Sequence, residues 1–479
     1  MNYEVVIGLE VHAQLKTNTK AFCGCSTQFG QEANTQACPV CLGFPGSLPV
    51  LNEKALEYGI RVGLALHCQI QKLTKFDRKN YFYPDLPKNY QISQYDLPLA
   101  LGGFLEIELK ELRKRIGIHR AHLEEDAGKL IHEGDHSLVD YNRAGIPLLE
   151  IVTEPDISSP DEAYEYLVSL KAILKYLEVC DCDMEKGSLR CDANISLRPQ
   201  GAKELGTKTE LKNLNSFKAV RDALSYEIKR QKELLESGKR IVQETLLWDE
   251  SGEKTYSMRT KEEAMDYRYF PEPDLPAFVI RDEKIQAIKD VLPELPEALK
   301  KRFIAQYGLS DYDAGIIVAE KALAKFFEAT LRLYPKAKLI SNWLIGPLSY
   351  ELNSRNMSIE SLSFSVESFV SLLTLVDEAR ISNLAAKEVL TQMCNTGASP
   401  EVIVKEKNLL QVSDAGELEG IADKVIAGNE KSTADYKSGK ANALMFLVGQ
   451  VMKLSEGKAN PKVAQEVLKK KLEKWGKDA

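Results

Sequence analysis

The chain opens on an alternation of period two. Val5, Ile7, Leu9 and Val11 fall on one side of an extended backbone, and Glu4, Glu10 and His12 on the other, which predicts a strand with one buried face. The alternation recurs where Leu189, Cys191, Ala193, Ile195 and Leu197 oppose Arg190, Asp192, Asn194, Ser196 and Arg198. Lys208, Glu210 and Lys212 share a face of the segment 207–212. A solvated outer face accounts for any one of these. Repeated faces of mixed charge fit the lining of a polar cavity better.

Helical spacing punctuates the strands. Ala163, Tyr166, Leu167, Leu170, Ile173 and Leu177 follow Ser159-Pro160-Asp161-Glu162, where Ser159 is a natural N-cap, Pro160 suits the first helical position and the acids suit the first turn. A second helical run covers 216–235 and is closed by Gly238. These elements predict an α+β domain on an antiparallel or mixed sheet. After Leu292-Pro293-Glu294-Leu295-Pro296 helix formers dominate to the end, and 428–439 reads as a polar link before a last helical pair.

A length of 479 residues points to two or three domains. Hydrophobic residues at 44% and charged residues at 28% are ordinary for a globular protein. No apolar run is long enough to span a bilayer, and the first residues lack the basic-then-apolar pattern of a signal peptide, so no membrane role and a cytoplasmic location are expected. Nine Cys in such a chain suggest ligation or burial rather than disulfides. The net charge of −7 argues against a surface that grips nucleic acid everywhere, but residues 431–479 hold eleven Lys against five acids, a local +6.

Four groups of residues carry candidate chemistry. Cys23-Gly24-Cys25 and Cys38-Pro39-Val40-Cys41 can place four thiolates around one structural Zn²⁺, the alternative being buried, unliganded thiols. Glu10 and His12 on one strand face, with Glu124-Glu125-Asp126 after His122 and with Glu150, offer oxygen and imidazole donors for Mg²⁺, although acids of this kind are also common on solvated surfaces. The segment 75–90 interleaves Lys75, Arg78, Lys79 and Lys88 with Phe76, Tyr81, Phe82, Tyr83 and Tyr90. Its Pro and Asn predict a shaped loop, able either to neutralise phosphates and stack a base or to anchor itself in a core. Finally, Met258-Arg259-Thr260-Lys261-Glu262-Glu263 and Asp266-Tyr267-Arg268-Tyr269-Phe270-Pro271-Glu272-Pro273-Asp274-Leu275-Pro276 read, on spacing alone, as an aromatic, Pro-ended loop. There is no G-x-x-x-x-G-K-[ST] loop, no G-x-G-x-x-G after a strand and no G-x-S-x-G elbow, so any use of ATP must rest on another scaffold.

Taken together, Gly8–Leu15, the Cys23–Cys41 set, Lys79–Gln94, Leu123–Lys129 and Met258–Pro276 resemble the B subunit of the glutamyl-tRNA(Gln)/aspartyl-tRNA(Asn) amidotransferases. Lys440-Ala441-Asn442, Gly449–Lys453 and Gly457–Pro461 resemble that family's tail. The resemblance implies a cradle-like catalytic domain with a zinc-tied loop over 1–293, a helical domain over 294–405 and a small helical tRNA-binding tail over 406–479. It implies a ligase that uses ATP, magnesium and zinc, and two partners within a heterotrimer, the amidase or A subunit, and the small C subunit. It maps metal and catalytic roles onto Glu10, His12, Glu124, Glu125 and Glu150, and basic catalytic and ATP-binding roles onto Lys79, Lys88 and Arg190, with Cys23, Cys25, Cys38 and Cys41 on zinc. Two other readings remain: a zinc-bearing RNA-binding module without catalysis, which gives the acids no role, and a free-standing aminoacyl-tRNA ligase, whose signature motifs are missing.

Overall fold

The computed structural model describes residues 2–109, 112–260, 267–411, 415–455 and 458–474. The motif residues 261–266, together with Gly457 and the last residues of the chain, lie outside the described residues. The chain divides into two compact units, Met1–Pro296 and Glu297–Ala479.

The first unit is α+β. In chain order its strands are β1 (Tyr3–Gln14), β2 (Gln69–Ile70), β3 (Leu73–Thr74), β4 (Asp77–Asn80), β5 (Tyr90–Ser93), β6 (Ala100–Leu101), β7 (Phe104–Leu109), β8 (Leu112–Glu125), β9 (Lys129–Glu133), β10 (His136–Asp140), β11 (Pro147–Thr153), β12 (Leu189–Pro199), β13 (Thr209–Lys212), β14 (Glu244–Asp249), β15 (Lys254–Thr260), β16 (Phe270–Pro271) and β17 (Phe278–Val279). Its helices are α1 (Glu53–Ala65), α2 (Pro160–Tyr176), α3 (Phe217–Glu236) and α4 (Asp282–Asp290). Ten strands make one sheet in the order β15-β14-β13-β12-β1-β11-β8-β6-β2, with β7 on β8. Pairing is antiparallel except between β13 and β14, which are joined through α3 and run parallel.

The period-two pattern decides which face of this sheet is covered. Leu9, Val11 and Ala13 of β1 and Leu189, Cys191, Ala193 and Ile195 of β12 are buried in one core with Leu56 and Ile60 of α1, Leu167 and Leu170 of α2 and Val220 and Leu224 of α3. The helices start where the capping residues place them. The Ser159 side chain accepts from the Glu162 N–H, the Ser216 side chain accepts from the Ala219 N–H, and Pro160 occupies the first turn of α2. The segment 75–90 is more regular than a loop at its ends. Asp77–Asn80 pairs with Tyr90–Ser93 and, across the chain, with Phe270–Pro271, making a second, three-stranded sheet.

The second unit is built of helices: α5 (Pro296–Tyr307), α6 (Asp311–Ala319), α7 (Lys321–Leu333), α8 (Ala337–Trp343), α9 (Ser349–Ser354), α10 (Val366–Asp377), α11 (Asn383–Thr396), α12 (Pro400–Glu406), α13 (Ala415–Gly428), α14 (Glu430–Lys437), α15 (Ala441–Leu454) and α16 (Pro461–Lys474). The stretch 428–439, expected as a link, carries α14, because Thr433 and Tyr436 give this polar helix an inner side to bury. Leu418, Val425, Leu447, Val451, Leu468 and Leu472 form a hydrophobic core of their own within α13, α15 and α16.

Candidate metal and phosphate site

The four central strands set one row of side chains across the face of the sheet that the helices leave uncovered. His12 of β1 stands opposite Arg190 of β12 on one side and Glu150 of β11 on the other, and Glu150 stands opposite His122 of β8. Residues so paired have Cβ atoms roughly 5 Å apart. Glu124 lies one step along β8 on the same face as His122. His12 Nε2 is 3.7 Å from Glu150 Oε2 and 3.9 Å from Glu124 Oε1. His122 Nε2 is 3.2 Å from Glu150 Oε2, and its Nδ1 is buried without a partner. One donor atom from each of His12, Glu124 and Glu150 lies within 4.8 Å of the others, so these three are close enough to share a cation. Burial works against charge on both sides of this group. His122 and His12 nevertheless hold the Glu150 carboxyl well below its ordinary range, and Glu150 and Glu124 hold the His12 imidazole above its own.

Glu10 shares the face but stands apart from that triad. It lies opposite Asp192, its Oε1 accepts from Asn194 Nδ2 at 2.9 Å, and burial, Glu150 and Asp192 raise its pKa. The row continues to Lys212, whose Nζ is 3.2 Å from Glu210 and also pairs with Asp192. Arg190 turns to Asp126, which it grips through two hydrogen bonds of 3.0 Å. Gln14 Nε2 donates to the same carboxylate at 2.7 Å. With Arg190 and Arg143 beside it, Asp126 stays ionised despite burial.

Alternation along β8 sends Glu124 and Glu125 to opposite sides. Glu125 is buried, accepts from the Ile92 N–H at 2.9 Å and forms an ion pair with Lys88. Glu124 meets Ser93 Oγ at 3.3 Å, and its charge is felt by the Lys79 ammonium. Burial disfavours the charge on Lys79, but Glu124, with Tyr269 and Glu150, outweighs it and lifts its pKa. Lys79 also lies 5.0 Å above the Tyr267 ring. A cation beside two carboxylates and a candidate metal group is suited to oxygens of a bound phosphate.

Cys23, Cys25, Cys38 and Cys41 converge, their sulfurs within 4.8 Å of one another. The Cys38–Cys41 separation of 3.9 Å matches the edge of a tetrahedron built on Zn–S bonds of about 2.3 Å, close to 3.8 Å. The Cys38 N–H donates to Cys41 Sγ at 3.2 Å, and the fully buried Lys20 places its ammonium 3.7 Å from the same sulfur. A hydrogen bond from Cys23, the Cys38 amide and Lys20 bring the Cys41 thiol down to about 4. A set of this kind, four thiolates with a neighbouring cation, fits a closed structural Zn²⁺ site. The cysteine loop presses on the Lys88–Glu125 pair. Gly43, at φ +70, lies so close that a Cβ there would meet Lys88 Cγ at 2.5 Å. A cavity of about 270 Å³ remains between them, lined by Lys20, Cys41, Arg78, Lys88, Tyr90 and Glu125.

His122 and Asp126 stand in the acidic set read from the sequence, but the roles that the resemblance assigns leave both out; the structure gives each a partner in the site. The signal for His122 is its period-two relation to Glu124 on a strand; that for Asp126 appears only when β12 lies beside β1.

A long mixed sheet covered by helices on one face, with carboxylates, imidazoles and cations ranked on the other, is a build able to hold a cation and phosphate oxygens together. Residues 5–286 match the family model described as the GatB/GatE catalytic domain, and residues 325–472 match the one described as the GatB domain. The chain is 59% identical over 475 residues to the B subunit of the aspartyl/glutamyl-tRNA(Asn/Gln) amidotransferase of Caldanaerobacter subterraneus subsp. tengcongensis, a match covering 99% of this chain and 100% of that protein. It is 57% identical to the corresponding protein of Carboxydothermus hydrogenoformans (98% and 99% covered) and 53% identical to that of Geobacter sp. (99% and 100% covered). The chain belongs to the family of aspartyl/glutamyl-tRNA(Asn/Gln) amidotransferase B subunits, components of a glutamine-hydrolysing ligase. Among the described residues no helix is long and apolar enough to cross a membrane.

Proposed function

We propose that this chain binds misacylated Glu-tRNA(Gln), Asp-tRNA(Asn) or both, phosphorylates the side-chain carboxylate with Mg-ATP, and completes the amide with ammonia. The ammonia comes from a partner amidase, the A subunit, and a small C subunit holds the two together. The observation that carries this reading is the convergence of His12, Glu124 and Glu150 near Lys79 on the polar face of the sheet. A carboxylate resists attack by ammonia because it is anionic and has no good leaving group. Transfer of the terminal phosphoryl of ATP to it gives an acyl phosphate and ADP; ammonia then displaces phosphate and leaves the amide. Phosphoryl transfer asks of a protein mainly alignment and charge neutralisation.

The residues divide those tasks. His12, Glu124 and Glu150 would hold Mg²⁺, which when bound offsets the charge of the triphosphate. Lys79 supplies a fixed cation to phosphate oxygens. Arg190, paired with Asp126, stands opposite His12 and leaves donors near the same space, while Lys88, paired with Glu125, braces the neighbouring strand end. Glu10, Asp192, Lys212 and Glu210 extend the polar face, a corridor able to pass ammonia between sites. Zn²⁺ on the four Cys would keep the loop seated against Lys88. The last four helices, with their own core and excess of Lys, form the tail that holds the tRNA.

The test uses the assembled amidotransferase. ATP hydrolysis should depend on misacylated tRNA, and replacing Glu150 by Ala should abolish amide formation while the partner's glutamine hydrolysis survives. Normal amide formation in that variant refutes the assignment. Amidation by the single chain should require external ammonia, and glutamine-driven amidation without a partner would overturn the division of labour.

A further inference from the structure

Two aromatic motifs nearly two hundred residues apart meet beside the phosphate site. The pairing of β4 with β16 brings Tyr267 and Tyr269 to Tyr81 and Tyr95. Tyr81 and Tyr267 have ring centroids 5.9 Å apart, Tyr267 and Tyr269 6.1 Å, and Tyr269 lies flat on Tyr95 at 4.2 Å with 9° between the planes. Between Tyr267 and Tyr269 the backbone of Arg268 turns through φ +43, a conformation unusual for a residue with a side chain. Asn80 holds that turn from both sides: its N–H donates to the Tyr267 carbonyl at 2.9 Å and its side chain to the Arg268 carbonyl at 2.8 Å. Strained backbone fixed in this way is characteristic of sites that position a ligand.

Tyr95 ends the stack. One face of its ring rests on Tyr269, yet the residue is 53% exposed. Its backbone is pinned on both sides. The Tyr95 N–H donates to Asp77 Oδ2 at 3.1 Å, and its carbonyl accepts from Arg120 Nη1 at 3.5 Å. Asp77 is itself buried and bound to Lys75 at 2.8 Å. A ring with one face covered by Tyr269, on a backbone held at both its N–H and its carbonyl, is a surface on which a further planar ring gains stacking energy at little ordering cost. Arg120, two residues before His122 on the same face of β8, has a buried Nε without a partner. A planar cation whose Nη1 reaches the Tyr95 carbonyl suits the phosphate of a nucleotide whose base stacks nearby.

We propose that Tyr95, backed by Tyr269, is the platform on which the adenine of an adenosine-bearing substrate stacks, with Arg120 answering its phosphate. The inference rests on the function proposed above, in which both ATP and the 3′ end of the tRNA present an adenosine. Tyr95 is therefore a positioning residue, and the two sources are separated by the test.

In the assembled amidotransferase, Kd and KM for ATP and for aminoacyl-tRNA are measured for wild type, Tyr95→Ala and Tyr95→Trp. Each ligand is compared with a probe that lacks the adenosine: inorganic tripolyphosphate for ATP, and tRNA ending at the second C for the complete tRNA. Tyr95→Ala should weaken one adenosine-bearing ligand by roughly tenfold or more while its stripped probe binds as to wild type, and Tyr95→Trp should restore the affinity. Whichever ligand responds names the source of the adenine. If neither responds, or the stripped probe weakens equally, the platform is refuted. Failure of the underlying function would appear separately, as a wild-type complex that does not couple ATP hydrolysis to amidation.

Discussion

Arg190 grips Asp126 through two parallel hydrogen bonds of 3.0 Å, although Arg190 lies on β12 and Asp126 lies just beyond the end of β8, with two strands between them. The pair closes the row of polar residues at one end of the central strands. Replacing Asp126 by Ala would leave a part-buried guanidinium without its main partner and should cost about 1–3 kcal/mol of stability, since solvent compensates only part of the lost charge-assisted bonds. Asp126→Asn retains acceptor capacity and should lose less. Urea unfolding of the two variants checks the order, and equal stability of all three proteins would show that Arg190 finds another partner.

The metal group makes a binding prediction that is independent of activity. Mn²⁺, titrated into the chain and followed by paramagnetic resonance, should occupy one site. Glu124→Gln and Glu150→Gln should each weaken it at least tenfold, since each removes a charged donor from a set of three. His122→Asn should weaken it less, because His122 Nε2 reaches Glu150 at 3.2 Å rather than completing that set. Unchanged affinity in both Glu variants would move the metal elsewhere.

For the cysteine cluster, elemental analysis should find about one Zn per chain, since four protein thiolates close one tetrahedron. Cys41→Ser should lose the metal and lower the melting temperature, with the Lys88 side of the cavity becoming accessible to proteases. A zinc-free protein whose four thiols react freely under native conditions would contradict the site.

The tail requires a cut in the right place. Leu418, Val425 and Ile426 of α13 share a core with α15 and α16, so truncation at residue 431 would divide that core. Removal of everything after residue 411 takes the core away whole. The shortened chain should bind tRNA more weakly and with a shallower salt dependence, because fewer phosphates are then neutralised and fewer counterions released. An unaltered affinity and slope would assign the grip to the residues before the cut.

The legible parts of this molecule were those where one side of an element is buried. Leu9, Val11 and Ala13 alternate with Glu10, His12 and Gln14 because the helices cover one face of the sheet, and that contrast is written locally. Asp77, Arg78 and Lys79 form a strand with no such contrast. Their partners are Tyr90–Ser93 and the distant Phe270–Pro271, so the strand is invisible until the long-range pairing exists. The place of His122 in the row was hidden for a related reason. Taken as a run, Glu124-Glu125-Asp126 is a patch of acid; taken at strand period, His122 and Glu124 belong together and Glu125 belongs to the opposite side. The helix Glu430–Lys437 is disguised by its polar composition and the nearby glycines, which resemble a linker, and only Thr433 and Tyr436 mark an inner face.

The opposed directions of Glu124 and Glu125 also constrain how this chain can drift over evolutionary time. One residue gained or lost within β8 ahead of them would exchange their sides, bringing Leu123 or Glu125 to the metal face and setting a charged group against hydrophobic neighbours. Length change in that strand is therefore permitted only in pairs, or with a bulge that restores parity. The hairpin of β9 and β10, which follows directly and is exposed at its turn, carries no such rule. Relatives of different length should differ in the hairpin and keep the parity of the strand before it.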